Sequence, residues 1–245
     1  MTIAVVPAKN LNGAKARLAD FLTPDERRIL TLAMLEDVLA ALIEVPRLDS
    51  ILVVTREAEI AALARELKAE VLEEPENRGH TAAVLHATQE VLARGASALL
   101  TVPGDLPAIS PGEVETMLDT LGSSPSAVLV PSRDGQGTNG VLLTPPDAFP
   151  LRFGEPSFEN HLASARRLKL PTMVLHLSGI GLDIDRPNDL LTFLATPRGT
   201  RTYCELTAWG VASRLQSRTP EPQRARALTN PGGGVQGEEW VGLPP

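Results

Sequence analysis

The sequence predicts an α/β fold: three layers, α/β/α, with a mostly parallel sheet between two sets of helices. Three observations carry that expectation. Short apolar runs alternate with stretches of helical periodicity from IAVV at 3–6 to the PNDLLTFLA segment at 187–195, the sign of consecutive strand–helix units. Two segments, Thr23-Pro24-Asp25-Glu26 and Ser110-Pro111-Gly112-Glu113, pair a capping residue with an acid three places on and a proline in the first turn, which starts a helix. Acidic residues fall just beyond apolar runs, Asp105 after 98–102 and Asp183 with Asp185 after 173–177, where open α/β sheets keep their ligands.

The elements follow in order. Residues 3–6 read as a buried strand, and the helix opened at Thr23 continues through Leu30, Met34 and Leu39 toward residue 43. ILVVT at 51–55 is the next strand, and 57–68 a helix with Ile60, Leu63, Ala64 and Leu67 on one face. A short strand near 70–73 runs into EEPENRGH, followed by a helix over 81–94 and a strand ending at Val102. The second capping box opens a helix to about 121; strands near 127–131 and 140–144 flank SRDGQGTN; a helix at 157–168, a strand at 172–177 and a helix at 187–195 complete the pattern. Residues 1–195 therefore read as one domain. Residues 196–216 read as a partly helical C-terminal extension around YCELTAWGVASRLQ. The Pro-, Gly- and Arg-rich stretch 217–245 is expected to be a disordered tail, since it offers little apolar surface to bury.

Composition narrows the function classes. A length of 245 residues suits one large α/β domain. A formal charge of −7 with 3% aromatics argues against a nucleic-acid partner. No run approaches the length of a membrane span, and MTIAVVPAK reads as a strand rather than a signal peptide. With a single cysteine, Cys204, a disulfide scaffold is excluded. The expected location is cytoplasmic.

A net negative chain that binds an anion must gather positive charge locally. Lys9, Lys15 and Arg17 do so in the loop after the first strand, with no acid among them. That loop carries neither GxxxxGK[ST] nor GxGxxG, so a P-loop or dinucleotide fingerprint is excluded; a triphosphate cradle and a solvated basic loop both remain. Asp105, Asp183 and Asp185 would make a hard-cation site for Mg²⁺ bridging the phosphates of a nucleotide. Against this stand a plain turn at Pro-Gly-Asp-Leu-Pro and a helix cap at Asp185. Thr138 and Ser157 supply hydroxyls, and Gly154 allows close backbone approach to an anion, although Ser157 could simply cap the helix it precedes. The four histidines, His80, His86, His161 and His176, fit no zinc spacing and read as ordinary surface or core residues.

Taken together, VPAKNLNGAKARL, TPDERRILTLAML, PGDLP, GTNGVLLTPPDAFPLRFGEPSFENHLASAR and GLDIDRPNDL resemble the guanylyltransferases of coenzyme F420 biosynthesis, the CofC/FbiD family, over roughly residues 2–195. The resemblance implies a nucleotidyltransferase fold of the MobA-like, glycosyltransferase-A type. It implies transfer of GMP from GTP to a small phosphorylated three-carbon acid (2-phospho-L-lactate, phosphoenolpyruvate or 3-phospho-D-glycerate), with pyrophosphate released. It places the acceptor on Thr138, Gly154 and Ser157 and a divalent metal on Asp105, Asp183 and Asp185; in such a reaction the basic loop's Lys9, Lys15 and Arg17 would cradle the triphosphate. Asp105 and Lys15 would carry the catalysis, and a homodimer is an expectation from resemblance alone. Many relatives have Gly-Leu-Asn-Ala-Ala where this chain has Gly79-His80-Thr81-Ala82-Ala83; Gly79 would lie near the nucleotide base. A sugar or molybdopterin nucleotidyltransferase of the same fold is the rival expectation.

Overall fold

The computed structural model describes residues 1–8, 11, 13–74, 76, 78–218 and 239–240. Strands β1 (Thr2–Pro7), β2 (Ser50–Thr55), β3 (Glu70–Glu73), β4 (Ala98–Thr101), β5 (Ser126–Pro131), β6 (Thr138–Thr144), β7 (Thr172–Val174) and β8 (Glu239–Trp240) form one sheet in the order β3-β2-β1-β4-β6-β5-β7-β8. β1, β2, β3 and β4 pair in parallel, as do β5 and β7, whereas β6 and β8 run against their neighbours. The expected mostly parallel sheet is present.

Helices α1 (Pro24–Ile43), α2 (Ala58–Glu66), α3 (His80–Ala93), α4 (Pro111–Thr120) and α5 (Ser157–Arg167) supply the outer layers. Side chains alternate across a strand, and β1 distributes them accordingly. Ala4 and Val6 join one core with Leu35, Val38 and Leu42 of α1 and Met117 of α4. Ile3 and Val5 join another with Val84, Ala87 and Val91 of α3. Burial of both faces is why these strands read as continuous apolar runs rather than alternating ones. Both expected capping boxes are made: Thr23 with Glu26, and Ser110 with Glu113. The run expected as a strand over 172–177 leaves the sheet earlier, at Val174, apart from one further bond from Leu175 N–H to the Leu129 carbonyl.

The chain beyond residue 196, expected as a partly helical extension, packs against the domain. After α6 (Pro187–Leu194) come α7 (Arg201–Ala208) and α8 (Val211–Arg218). Leu206, Val211 and Leu215 close a third core with Leu18 and Leu22 of the basic loop, Leu30 and Met34 of α1, and Leu182 and Ile184. Asp37 of α1 accepts from the Arg201 and Thr202 backbone N–H groups at 2.7 and 2.9 Å, satisfying donors that a helix start leaves open. Arg214 of α8 donates to Glu26 at 3.0 Å. These helices therefore brace the loop that carries Lys15 and Arg17. Of the expected tail 217–245, only residues 217, 218 and 239–240 are described. Among the described residues no helix is long and apolar enough to cross a membrane.

Candidate active site

The basic loop is shaped by its own backbone and by α1. Lys15 adopts the left-handed conformation (φ 51°, ψ 41°) at the start of a 3-10 turn, Ala16–Leu18, a backbone state that costs a non-glycine residue about 1–2 kcal/mol. Arg27 of α1 ties the loop down, donating from Nε to the Ala14 carbonyl at 3.2 Å and from Nη1 to the Leu22 carbonyl at 2.8 Å. The turn drives the Lys15 side chain inward, where it is only 8% exposed. Lys9 lies outside the described residues.

Lys15 Nζ donates to Asp105 Oδ2 and to Asp185 Oδ1, both at 2.6 Å. Those two oxygens are consequently no more than twice that distance apart, although 80 residues of chain separate them. A backbone bond from Ile184 N–H to the Asp105 carbonyl at 3.2 Å draws the two segments together. Arg17 stands 3.8 Å from Asp185 Oδ2. Burial alone would lower the Lys15 ammonium's pKa, but Asp105 and Asp185 overcome it and hold the group well above the ordinary lysine value. For Asp185, burial pushes upward and the Lys15 charge more than reverses it, leaving the carboxyl below its usual range. Asp183 goes the other way: burial raises it, Asp105 and Asp185 add to the rise, and a bond from Asn139 Nδ2 at 3.0 Å only partly opposes it.

Asp185 is not the cap of α6. Arg186 holds the N-cap position, and Asp189 in the first turn accepts from Arg186 N–H at 2.7 Å and Asp185 N–H at 3.1 Å, which leaves the Asp185 carboxylate for Lys15. The three aspartates do converge, but Lys15 lies between two of them. Among the described residues no group of three or more His, Cys, Asp or Glu side chains is spaced to hold a metal as it stands. Their chemistry still suits a hard cation: Asp105 Oδ1 is buried and has no hydrogen-bond partner among the described residues.

A second, neutral corner adjoins this charged centre. Ser157 is the first residue of α5 rather than its cap. Its hydroxyl lies 3.3 Å from Thr138 Oγ1, which lies 2.9 Å from His161 Nδ1. All three residues are buried. Gly154, in the loop before α5, has φ +111° and open space where a Cβ would stand. Its neighbour Phe153 is fixed by Thr81 of α3: Phe153 N–H donates to Thr81 Oγ1 at 2.9 Å, and the Thr81 hydroxyl donates back to the Phe153 carbonyl at 3.3 Å. The His80 ring packs on Phe153 at 4.4 Å between centroids. The Gly79–Thr81 turn, with Gly79 at φ 90°, therefore abuts the Gly154 loop.

The two corners share consecutive residues of β6. Opposite β5 the register slips between Val130, paired with Gly140, and Pro131, paired with Thr138, so Asn139 is an extra residue. Such bulges re-aim side chains beside active sites. Thr138 serves the hydroxyl corner, while Asn139 Nδ2 bonds both Asp183 and the Ile180 carbonyl at 3.0 Å. The sequence reading missed Asn139, since a bulge has no signature in GTNG. It also missed Arg133 and Arg186, which line the open cleft with Arg17, Asp183 and Asp185; the arginine in GLDIDRP next to two acids was the available clue.

Known proteins match most of this chain. A sequence model described as "Guanylyl transferase CofC like" matches residues 2–225. A phosphoenolpyruvate guanylyltransferase of Sphaerobacter thermophilus is 41% identical over 189 residues, covering 77% of this chain and 90% of that protein. One of Rubrobacter xylanophilus is 41% identical over 187 residues, 76% of this chain and 90% of its own length. A 2-phospho-L-lactate guanylyltransferase of Methanobrevibacter ruminantium is 30% identical over 218 residues, 85% and 91% respectively. Among solved structures, a protein of Desulfovibrio desulfuricans assigned as a nucleotide-diphospho-sugar transferase superposes with a TM-score of 0.71 at 17% identity, covering 88% of this chain and 97% of that one. A nucleotidyl transferase of Methanothermobacter gives a TM-score of 0.60 at 17% identity, covering 79% and 95%. At that identity the structural matches establish the fold alone, that of the nucleotidyltransferases.

Proposed function

This chain belongs to the CofC-like guanylyl transferase family, and on that premise we propose that it transfers GMP from GTP to the phosphate of phosphoenolpyruvate, releasing pyrophosphate, within coenzyme F420 biosynthesis. The observation that carries this reading is the adjacency of two unlike subsites. Asn139 touches the charged centre at Asp183, and the preceding Thr138 touches the hydroxyl corner at Ser157 and His161. A reaction joining two phosphorylated molecules needs one place for a triphosphate and, next to it, one for a small acid.

In the reaction an oxygen of the acceptor phosphate attacks the α-phosphorus of GTP. The new P–O bond forms as the bond from the α-phosphorus to the β-phosphate oxygen breaks, and pyrophosphate leaves with that electron pair. A phosphate monoester is already ionised near neutral pH, so no general base is needed. What remains is positioning and charge neutralisation. Lys15, kept protonated by its two carboxylates, is a permanent cation for the phosphates; Arg17 adds a second, and Lys9 is assigned to the same cradle. Thr138, Ser157 and the backbone at Gly154 hold the acceptor, with Gly79 near the nucleotide base.

Asp105, Asp183 and Asp185 would hold Mg²⁺, and the bare Asp105 Oδ1 supports that assignment. When bound, the ion would supply positive charge to the triphosphate. Because Lys15 pairs with two of these carboxylates, metal and lysine share one set of acids.

Phosphoenolpyruvate is favoured over 2-phospho-L-lactate because relatives named for the former reach 41% identity and those named for the latter 30–32%. The test is a side-by-side incubation with GTP and phosphoenolpyruvate, 2-phospho-L-lactate or 3-phospho-D-glycerate, the product read by mass spectrometry. A guanosine diphosphate-linked adduct formed fastest with phosphoenolpyruvate is expected. Transfer to a sugar phosphate or a molybdopterin instead would overturn the reading.

A further inference from the structure

The hydroxyl corner contains a residue that sequence reading dismissed. His161 is 1% exposed and lies against Phe153 and Phe149, ring centroids 5.2 and 5.8 Å away. Its two ring nitrogens have different neighbours. Nε2 is 3.0 Å from the Arg152 backbone nitrogen, and Nδ1 is 2.9 Å from Thr138 Oγ1. A backbone N–H can only donate, so Nε2 must accept. In a neutral imidazole the other nitrogen then carries the hydrogen. Nδ1–H therefore donates to Thr138 Oγ1, and the role of each ring nitrogen is fixed.

That direction decides what the corner can offer a ligand. Thr138 and Ser157 have two hydroxyl protons between them, and their mutual bond consumes one. His161 occupies a lone pair of Thr138 and takes no proton. Among the described residues neither hydroxyl has another acceptor. One O–H is left over whichever way round the pair is arranged, and a ligand could accept it. With the hydrogen on Nε2 instead, Nδ1 would draw the Thr138 proton inward and the spare donor would be lost. We infer that His161 is a positioning residue: by donating to Thr138 it keeps the Thr138–Ser157 pair as a net proton donor with one O–H to spare, selecting an acceptor group that is an ionised oxygen, the carboxylate or phosphate of the phosphorylated acid. Burial of the ring, which pushes its pKa down to about 4, keeps it neutral under working conditions.

This inference rests on the assignment of Thr138 and Ser157 to the acceptor, and the experiment separates the two. Steady-state kinetics with GTP and phosphoenolpyruvate are compared for the wild type, Thr138→Val, His161→Phe and the double variant. A hydrogen bond to a charged ligand is worth roughly tenfold or more in affinity, so Thr138→Val and His161→Phe should each raise KM for phosphoenolpyruvate by about that factor. KM for GTP should stay within about twofold of the wild type, and the double variant should be no worse than Thr138→Val alone, because His161 acts through that hydroxyl. Multiplicative losses in the double variant, or equal losses for both substrates, would mean that His161 only supports the packing. An unchanged KM for phosphoenolpyruvate in Thr138→Val would remove the acceptor assignment itself. An effect of Thr138→Val with none from His161→Phe would remove only this inference. If His161→Phe does not fold, nitrogen-15 spectra of the wild type decide: a neutral ring with its hydrogen on Nδ1 is expected near neutral pH, and a hydrogen on Nε2 overturns the proposal.

Discussion

The charged centre and the hydroxyl corner are neighbours built on opposite principles. Around Lys15 the groups are ions brought from three distant segments, and they hold each other: Asp105 and Asp185 are 28% and 42% exposed while the lysine between them is buried. Around Thr138 the groups are neutral, fully buried and linked to backbone, with no charge to be satisfied. On the proposed function, mutual attraction would let the first region regroup around a triphosphate and cation, because each carboxylate can exchange one positive partner for another. The backbone-fixed ring of His161 gives the second a net donor character, so selectivity is better placed there. On the proposed function, one region would supply charge for the transferring phosphoryl group, and the other would supply shape for the acceptor.

Replacing Lys15 tests the division most harshly. Lys15→Met should lower kcat roughly a hundred- to a thousandfold, the usual loss for one preorganised electrostatic group, with KM for the acceptor little changed in steady-state assays. Comparable damage to the acceptor KM would show that the two regions are not separable.

Acid sharpens the contrast from the other side. The His161 pKa is about 4 in the fold against about 6.5 when unfolded. The unfolded state therefore takes up a proton first, and stability contributed by the neutral ring is complete above pH 6.5 and is lost as pH falls toward 4. The full loss is about 3 kcal/mol. Asp37, Glu113 and Asp183 are raised by burial and gain stability on acidification, so the effect is read as a difference. Between pH 7 and 4.5, urea unfolding of the wild type should lose more stability than that of His161→Phe.

Gly154→Ala is the mildest probe. Nothing lies within 4 Å of the added Cβ, so the cost is backbone strain at φ +111°, about 1–3 kcal/mol for a non-glycine residue in so sparse a region. The acceptor KM should rise severalfold while the GTP KM holds; equal changes in both would place this loop at the nucleotide as well.

Much of this was legible in the chain. The strand–helix alternation and two capping boxes locate most elements to within a residue or two, because they depend on local chemistry. The approach of Asp105 to Asp183 and Asp185 was legible because each follows a strand of the same sheet. The central place of Lys15 was not: it depends on a left-handed residue in a loop braced by Arg27 and by α7 and α8. The pattern predicts a three-aspartate metal site and a separate role for Lys15 on the triphosphate, not a lysine bonded to two of the three acids. His161 looked ordinary for a similar reason, since its meaning comes from Thr138, 23 residues earlier, and from a main-chain donor that no side-chain pattern announces. Asn139 needed the bulge.

The most direct test is pyrophosphate release from GTP, Mg²⁺ and phosphoenolpyruvate by the wild type and by Asp105→Asn, the substitution that keeps size and removes the charge facing Lys15. The account predicts release by the wild type that depends on the acid, and a rate about a hundredfold lower in the variant, with the folded structure intact by circular dichroism. Release at the wild-type rate from Asp105→Asn would contradict it.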